Sequence, residues 1–461
     1  MQTSLDSPIA AIATAQAPGA IGMVRISGVG AIEVADRVFR PVHGGSLCDS
    51  PGYRAHYGQL TDDAEPFDDG VATVYRAPRS YTGEDCVELT CHGGVYLTRR
   101  LLRAVLASGA RMAQPGEFTR RAFLNGKMSL TSAESVMQRI GAQGALAARA
   151  AQAGAQDVLT RRIRSIRDAL TDAAAHLAAW ADFPDEAVPE VTDGELTSRL
   201  AAADRALTQL LDAFEAGRIL RDGVDTVILG RPNVGKSTLM NALAGCERSI
   251  VTSVPGTTRD VVEESVKLGE LVLRLADTAG LRDTADPVER IGVDRARTRL
   301  ATAGLVLAVF DGAAPLDADD RALLHDLAAQ TAAPVIAVIN KGDLPERIDL
   351  DAIRAQIPRV VRISAATQIG VDALADAVAD ALGTSLLHPD EGMLFTERQR
   401  AAAIQARDAV RAAQTALECG MTFDAVTVDV ESAIGALAEL TGDSVSESVV
   451  DAVFSQFCVG K

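Results

Sequence analysis

A phosphate-binding pattern at residues 230–237 constrains the fold of this chain more than any other stretch. Two glycines with four residues between them begin the pattern, and Lys236 and Ser237 end it. The apolar run 224–229 precedes it, as expected for a strand that leads into a glycine-rich loop and then a helix. Backbone N–H groups in such a loop converge on phosphates, the lysine adds positive charge, and the serine offers a hydroxyl to Mg²⁺. The pattern predicts a nucleotide-binding α/β domain, with an ordinary Gly-rich turn as the alternative.

Three later segments, each directly after an apolar run, support the nucleotide interpretation. Asp277 follows a strand-like run, which places a carboxylate at a strand end where it can hold Mg²⁺ through water. Asp343, in the segment 340–343, can accept hydrogen bonds from both N1–H and the exocyclic amine of guanine, a donor pair that adenine lacks. The segment 364–365 offers a backbone amide to the guanine carbonyl. Together they predict a guanine-nucleotide site that prefers GTP.

Composition limits the number of domains, the kinds of partner and the compartment that can be expected for this chain. With 461 residues, the chain is long enough for about three domains. The formal charge of −17 argues against a surface that coats nucleic acid over its whole extent. The six cysteines show no CxxC pair or zinc spacing, which favours free thiols in the cytoplasm. We find no basic secretion leader in residues 1–27 and no apolar run of roughly eighteen residues, so no membrane span is expected.

Positive charge comes almost entirely from arginine. Of the 45 basic residues only five are lysine, so 40 are arginine; the five are Lys127, Lys236, Lys267, Lys341 and Lys461. Lys236 and Lys341 already lie in nucleotide motifs, where a compact ammonium differs physically from a guanidinium fork. By the same reasoning Lys127 and Lys461 are candidates for specific chemistry, with chance placement as the alternative.

The order of apolar patterns predicts a multidomain α/β plus α protein. Short strands and helices without a strict βαβ rhythm predict an α+β domain at the amino terminus. Alanine-rich helical spacing predicts helices over 130–158, 159–181 and 196–220, and a second helical segment from Glu397 to the end. We therefore expect a helical domain interrupted by a GTPase-type domain with a doubly wound, mostly parallel sheet. The predicted segments are 1–125, 126–222, 223–384 and 385–461.

Motifs along nearly the whole chain carry a family resemblance. They are 9–14, 24–28, 81–85, 92–94, 115–118, 121–127, 182–186, 230–237, 255–260, 277–282, 288–292 and the terminal Cys-Val-Gly-Lys at 458–461. With these motifs the chain resembles the MnmE (TrmE) family of bacterial tRNA-modification GTPases. The nucleotide motifs alone would fit many families, whereas the amino-terminal motifs and the terminal cysteine tetrapeptide are specific.

The resemblance implies a cytoplasmic homodimer with an amino-terminal folate-binding domain similar to aminomethyltransferases. It also implies a FAD-dependent partner, MnmG (GidA), in a heterotetramer or larger assembly. Together they would add an aminomethyl or carboxymethylaminomethyl group at C5 of the wobble uridine of certain tRNAs. The carbon would come from a tetrahydrofolate derivative, 5-formyl- or methylene-tetrahydrofolate. The family motif maps the folate contacts to Arg25, Glu88, Lys127 and Lys461, which includes both lysines noted above. A regulatory or ribosome-assembly GTPase without one-carbon chemistry is the alternative.

The resemblance also implies roles in GTP hydrolysis. Ser237 and Thr258 would hold Mg²⁺, and Glu289 would position water indirectly, since Leu281 stands where Ras-type enzymes place the water-orienting glutamine. A potassium ion on Asn233, Thr252, Val254 and Thr257 would supply the charge of an arginine finger, with two GTPase modules facing each other. Cys458 is a candidate catalytic residue, with a bystander thiol as the alternative. The full set expected to bind GTP is Asn233, Val234, Gly235, Lys236, Ser237, Thr238, Thr252, Ser253, Val254, Pro255, Gly256, Thr257, Thr258, Asp277, Thr278, Ala279, Gly280, Asn340, Lys341, Asp343, Ser364 and Ala365.

Overall fold

A computed structural model describes residues 7–182, 193–245, 264–275, 303–330 and 332–461. The chain divides into two compact units. The first comprises Met1–Met137 with Leu437–Lys461, and the second comprises Gln138–Ala436. Because the amino-terminal and carboxyl-terminal segments belong to the same unit, the second unit is an insertion within the first.

A mostly antiparallel sheet forms the centre of the first unit. Its seven strands are β1 (Ile9–Ile12), β2 (Ile21–Ser27), β3 (Phe39–Pro41), β4 (Arg54–Asp62), β5 (Glu65–Tyr75), β6 (Cys86–His92) and β7 (Arg111–Met112). Their order across the sheet is β3-β4-β5-β6-β2-β1-β7, and only β1 and β7 pair in parallel. The sheet confirms the predicted α+β character of this region.

Helices α1 (Ala31–Val38) and α2 (Val95–Ala107) cover one face of this sheet. Their buried residues pack against Val24 and Ile26 of β2 and Val87 and Leu89 of β6. Since side chains alternate along a strand, Arg25 and Glu88 lie on the opposite face. That face is covered in part by α3 (Glu117–Leu124).

The carboxyl-terminal segment packs onto this unit. Helix α15 (Glu447–Ser455) shares a cluster of buried apolar side chains with the start of α4 (Leu130–Gly141). Phe123 and Phe454 have ring centroids 6.2 Å apart, and Phe454 and Phe457 are 5.2 Å apart. The chain end is therefore held by apolar contacts on both sides of α15.

The second unit contains a six-stranded sheet. Its strands are β8 (Val224–Leu229), β9 (Glu264–Leu268), β10 (Leu271–Leu275), β11 (Leu305–Asp311), β12 (Val335–Asn340) and β13 (Val360–Arg362). The order is β13-β12-β11-β8-β10-β9, and all pairs are parallel except β9 with β10. The described helices of this region are α9 (Lys236–Gly245), α10 (Ala318–Gln330), α11 (Leu350–Arg354) and α12 (Val371–Ala381). The predicted doubly wound, mostly parallel sheet is confirmed.

The other described helices show where our prediction of long helices fails. They are α5 (Ala145–Ala155), α6 (Val158–Asp182), α7 (Asp193–Asp212), α8 (Phe214–Asp222), α13 (Glu397–Glu418) and α14 (Phe423–Thr441). The single helix predicted over 130–158 is wrong, because α4 ends at Gly141 and α5 begins at Ala145. A Cβ on Gly144 would lie 2.7 Å from the Glu270 carbonyl oxygen, and Glu270 Oε2 accepts a hydrogen bond from Leu146 N at 3.0 Å. The turn between β9 and β10 thus occupies this break and caps α5.

The helix predicted over 159–181 is confirmed by α6, whereas the helix predicted over 196–220 is interrupted. The helix predicted over 196–220 divides at Ala213 into α7 and α8. The last helical segment divides at Gly420, whose φ of 68° is a left-handed conformation that glycine adopts at little cost. Apolar spacing predicted the helices but not their ends.

Candidate functional site

The glycines of the phosphate-binding loop stand where no side chain fits. Strand β8 ends at Leu229, and a Cβ on Gly230 would lie 2.4 Å from the Val309 carbonyl oxygen of β11. A Cβ on Gly235 would lie 2.2 Å from Asn340 Nδ2. Both glycines also have positive φ, at 152° and 95°. Close packing at its two ends therefore fixes the shape of the loop.

The side chains at the start of α9 are arranged as a phosphate site requires. Lys236 Nζ donates to the carbonyl oxygens of Gly230 at 2.6 Å and Arg231 at 2.8 Å, so the ammonium bridges the entry of the loop. Ser237 and Thr238 are exposed in the first turn of the helix. The positive end of the helix dipole lies at the same place. Hydroxyls, ammonium and helix terminus together form an anion-binding surface.

Asn340 connects the phosphate loop to the predicted guanine loop. Its Nδ2 donates to the Val234 carbonyl oxygen at 2.9 Å, and its Oδ1 accepts from Ala365 N at 2.9 Å. The side chain is 3 % exposed, so both bonds are shielded from water. One residue thereby holds three of the predicted nucleotide segments in register.

The predicted guanine-reading carboxylate lies beside the third of these segments. Ser364 Oγ donates to Asp343 Oδ1 at 2.6 Å. This hydrogen bond is the largest influence on the pKa of Asp343 and lowers it below the usual range, so the carboxyl is ionised at neutral pH. Asp343 is exposed, with both a fixed partner and access for a ligand.

Sequence reasoning missed a second carboxylate in this site. Asp311 ends β11, and its Oδ2 accepts from Lys341 Nζ at 2.6 Å. Lys341 has a φ of 64°, and the Asp311 contact fixes the direction of its side chain. The sequence offered this signal, because Asp311 directly follows the apolar run 305–310, just as Asp277 follows the run 271–276.

The other predicted GTPase residues lie outside the described part of the chain. They are Thr252, Ser253, Val254, Pro255, Gly256, Thr257, Thr258, Asp277, Thr278, Ala279, Gly280 and Glu289, and Leu281 lies there too.

In the first unit, Arg25 and Glu88 face each other across β2 and β6. Arg25 Nη2 and Nε donate to Glu88 Oε1 at 2.8 and 2.9 Å, and both side chains are less than one-fifth exposed. The Arg25 guanidinium carbon lies 5.6 Å from the ring centroid of Tyr81 and 5.8 Å from that of Phe118. Tyr75 Oη donates to Glu88 Oε2 at 3.3 Å. The rings of Tyr81 and Phe118 thus lie beside the pair, in which the Arg25 guanidinium is a charged donor and the Glu88 carboxylate a charged acceptor.

The segment 78–84 connects this pair to Lys127. Tyr81, beside Arg25, belongs to it, and Lys127 Nζ donates to the Pro78 carbonyl oxygen at 3.1 Å. A Cβ on Gly83 would lie 3.3 Å from Lys127 Cγ, so the lysine stem runs along the same segment. Lys127 is exposed. Arg25 and Lys127 therefore both contact this segment, Arg25 at Tyr81 and Lys127 at Pro78.

The chain end is docked onto the same region. The Cys458 carbonyl oxygen accepts from Gly116 N at 3.4 Å, at the start of α3. A Cβ on Gly460 would lie 2.5 Å from the Ile12 carbonyl oxygen, at the end of β1. Lys461 is therefore held near β1 and α3, the elements that flank Arg25. Cys458 itself is exposed.

A buried ionic network supports the 78–84 segment from behind. Arg121 is 1 % exposed, and its Nη1 donates to Glu84 Oε1 and Oε2 at 3.1 and 3.2 Å. Its Nη2 donates to Glu117 Oε1 at 3.1 Å, and Arg111 also pairs with Glu117. Burial acts to raise the pKa of Glu117, but hydrogen bonds from Arg111 and Gln114 outweigh it and lower that pKa. Sequence reasoning quoted Glu84, Glu117 and Arg121 as motif members but did not pair them.

His92, Asp68 and Asp69 form a further polar cluster in the first unit. His92 Nδ1 lies 2.7 Å from Asp68 Oδ1, and this pairing raises the pKa of His92. Together with Asp69 they are close enough to hold a metal ion, although Asp68 and His92 already satisfy each other. No helix among the described residues has the length and apolar character needed to cross a bilayer.

The fold and the phosphate-binding loop define a class: this is a P-loop protein built as a GTP hydrolase. A family model described as "MnmE helical domain" matches residues 130–458, and one described as "GTP-binding protein TrmE N-terminus" matches residues 8–127. The chain therefore belongs to the MnmE family.

Relatives named "tRNA modification GTPase MnmE" match over the full length. The protein of Symbiobacterium thermophilum is 45% identical over 99% of this chain and 100% of its own length. That of Geobacillus thermodenitrificans is 42% identical over 100% of both chains. A solved G domain of the T. maritima FeoB iron transporter is 26% identical over 34% of this chain and 98% of that chain, with a TM-score of 0.26.

Proposed function

We propose that this protein hydrolyses GTP in the service of tRNA modification at the wobble uridine, with a folate-derived one-carbon unit bound in its first unit. The observation that carries the folate part is the Arg25–Glu88 pair, set between aromatic rings and joined through one loop to Lys127. The full-length relatives named tRNA modification GTPases support the substrate. The tRNA-binding surface would consist of local arginines or belong to a partner, because the chain as a whole carries a charge of −17.

The pocket suits a folate in chemical terms. A carboxylate such as Glu88 accepts hydrogen bonds from the pterin N–H groups, and Arg25 donates to the pterin carbonyl. Exposed Lys127 and the docked Lys461 would meet the negatively charged glutamate of the ligand. Tyr81 and Phe118 offer ring faces against which a flat pterin stacks. Cys458, exposed on the docked tail, stays a candidate for the chemistry at the one-carbon unit.

The nucleotide site suits GTP with two cations. Ser237, exposed at the start of α9, would hold Mg²⁺ together with Thr258. Asn233 has a φ of 65° and an exposed amide, so its oxygen is free to join Thr252, Val254 and Thr257 around K⁺. When bound, the two cations neutralise the charge that develops on the phosphates. Glu289 would position the attacking water indirectly.

The assembly we propose is a cytoplasmic homodimer that works with an FAD-dependent partner of the MnmG (GidA) type. Two nucleotide domains facing each other would complete the K⁺ sites, so that hydrolysis accompanies closure of the dimer. The alternative is a GTPase that only times an assembly step and carries no one-carbon chemistry.

A complementation experiment tests the proposal. Cells that lack the gene should lose the modified wobble nucleoside, as measured by mass spectrometry of digested tRNA. Wild-type protein should restore it, whereas Glu88→Gln should not, because the neutral amide leaves Arg25 unpaired and cannot accept two pterin hydrogen bonds. In the purified Glu88→Gln protein, binding of 5-formyl-tetrahydrofolate should weaken roughly 10- to 100-fold.

The matched control is Asp62→Asn, a carboxylate that pairs with Arg100 elsewhere in the same sheet. It should restore the nucleoside fully and bind the folate as the wild type does. If tRNA from the deletion strain were unchanged, the timing role would be favoured instead. If Glu88→Gln restored the nucleoside, the folate pocket would have to lie elsewhere.

A comparison of salts tests the K⁺ part. We expect GTP hydrolysis in KCl to be at least about tenfold faster than in NaCl at equal ionic strength, because Na⁺ is too small for the same oxygen ligands. The control is mant-GDP affinity, which should be similar in both salts because Lys236 and the loop amides hold the diphosphate. Equal hydrolysis rates in the two salts would remove potassium from the mechanism.

A further inference from the structure

A second ionic contact holds the entry of the phosphate loop. Arg231 is the first residue after Gly230, and its Nε donates to Asp320 Oδ2 at 3.1 Å. It also lies 3.3 Å from Asp317 Oδ2. Both aspartates belong to the start of α10, 86 and 89 positions further along the chain, which pins the loop to that helix.

The Asp320 carboxylate lowers the stability of the folded protein at this position. Its side chain is 2 % exposed, and its Oδ1 is buried without a hydrogen-bond partner among the described residues. Burial raises the pKa of Asp320, and the Arg231 contact only partly offsets that effect. A buried carboxylate with one unsatisfied oxygen reduces stability relative to a neutral side chain of similar shape.

Part of the role of Asp320 is to begin the helix. Asp320 N donates to Asp317 Oδ1 at 2.9 Å, and Asp317 N donates to Asp320 Oδ2 at 3.4 Å. This reciprocal arrangement resembles a capping box. A cap, however, requires neither burial of its carboxylate nor an ion pair with an arginine.

The backbone of Arg231 links the Arg231–Asp320 ion pair to the phosphate loop. The Arg231 carbonyl oxygen accepts from Lys236 Nζ at 2.8 Å, next to the Gly230 carbonyl, which accepts at 2.6 Å. Gly230 is itself pressed against Val309. The direction of the Arg231 peptide, and with it the place of the ammonium, is therefore set by Val309 on one side and Asp320 on the other.

We propose that Asp320 is a positioning residue for GTP hydrolysis, which acts through Arg231 to hold Lys236 where the β- and γ-phosphates bind. Its loss would shorten the time for which nucleotide stays bound, for GDP and GTP alike, since both carry the β-phosphate. The effect would appear in KM rather than kcat, because the reacting groups stay in place.

Release of mant-GDP from the full-length protein tests this. Asp320→Asn should release it about tenfold faster than wild type, with the fall in kcat/KM for GTP due mainly to KM. The control Asp225→Asn removes a carboxylate from a comparable pair, Asp225 with Arg274 at 2.8 Å, at the opposite end of β8. It should change release less than twofold.

A double-mutant cycle separates positioning from capping. If Asp320 acts through Arg231, then Arg231→Gln alone should match Asp320→Asn, and the double variant should release mant-GDP no faster than either single variant. Arg231→Gln, at a partly exposed side chain, also keeps the test available if Asp320→Asn does not fold. Two outcomes would overturn the proposal: release within twofold of wild type in Asp320→Asn together with a lower melting temperature, which is the behaviour of a cap alone, or additive effects in the double variant.

Discussion

Replacing Asp343 with asparagine should lower the affinity for GTP about 10⁴-fold, since a site built to pair with two donors rejects a ligand that no longer matches it. The Asp343 carboxylate is ionised, and the Ser364 hydrogen bond lowers its pKa further, so it can accept from both N1–H and the exocyclic amine of guanine. The asparagine would present an N–H₂ group to that amine, and two donors would face each other.

The same variant should gain affinity for xanthosine triphosphate. Xanthine carries a carbonyl oxygen where guanine carries its amine, and the asparagine amide can donate to that oxygen while accepting from N1–H. Hydrolysis of XTP should then approach the rate of GTP hydrolysis in the wild type, because the phosphate loop, Lys236 and Asn340 are unchanged. Competition binding with mant-GDP and steady-state hydrolysis of both nucleotides measure the switch.

Asp349→Asn is the matched control for this switch. Asp349 lies six positions further on, and its carboxylate caps α11 by accepting from Ala352 N at 3.1 Å. Asparagine is an equally good cap, so GTP affinity and base preference should not change. Loss of GTP binding without any gain of XTP binding would mean that Asp343 supports the loop rather than reads the base.

Local spacing predicted the strand, loop and helix at 224–245, because the glycines, the lysine and the serine stand at fixed positions directly after an apolar run. Gly230 and Gly235 are required by close packing, and the lysine and serine follow at the turn into α9. Arg25 and Glu88, in contrast, were candidates through the family motif and not through a local pattern. Their direct pairing depends on the strand order β6-β2, which no local pattern specifies.

The errors have non-local causes. Alanine-rich spacing continues across Gly141 and Gly144, and glycine inside a helix costs only about 1 kcal/mol, so the sequence does not require a break there. The helix breaks there because Glu270, 126 positions after Gly144, packs between α4 and α5 and caps α5. Arg231 with Asp320 is a similar case, since each residue alone reads as an ordinary surface charge.

Arg121→Met should destabilise the first unit by about 3–5 kcal/mol, because removal of one member of a buried ionic group leaves the others uncompensated. The guanidinium is 1 % exposed and joins Glu84 to Glu117, and it also donates to the Ser7 carbonyl oxygen at 3.2 Å. Without it, two carboxylates would share a buried site, with only Arg111 left to balance Glu117. Hydrogen exchange of β1 and β2 amides, followed by mass spectrometry, reports the free energy of opening for this unit.

Two companion variants establish the cause of that loss. Arg99→Met removes an exposed arginine of α2, and we expect it to change the same exchange free energy by less than about 1 kcal/mol. The triple variant Arg121→Met, Glu84→Gln, Glu117→Gln removes the orphaned charges together with the arginine, and it should recover most of the stability, since neutral replacement of a whole buried ionic group is often tolerated. If the triple variant were no more stable than Arg121→Met, the loss would come from packing around the side chain. Recovery of stability without recovery of folate binding would show that the network is kept to hold the 78–84 segment, and Tyr81 with it, against Arg25.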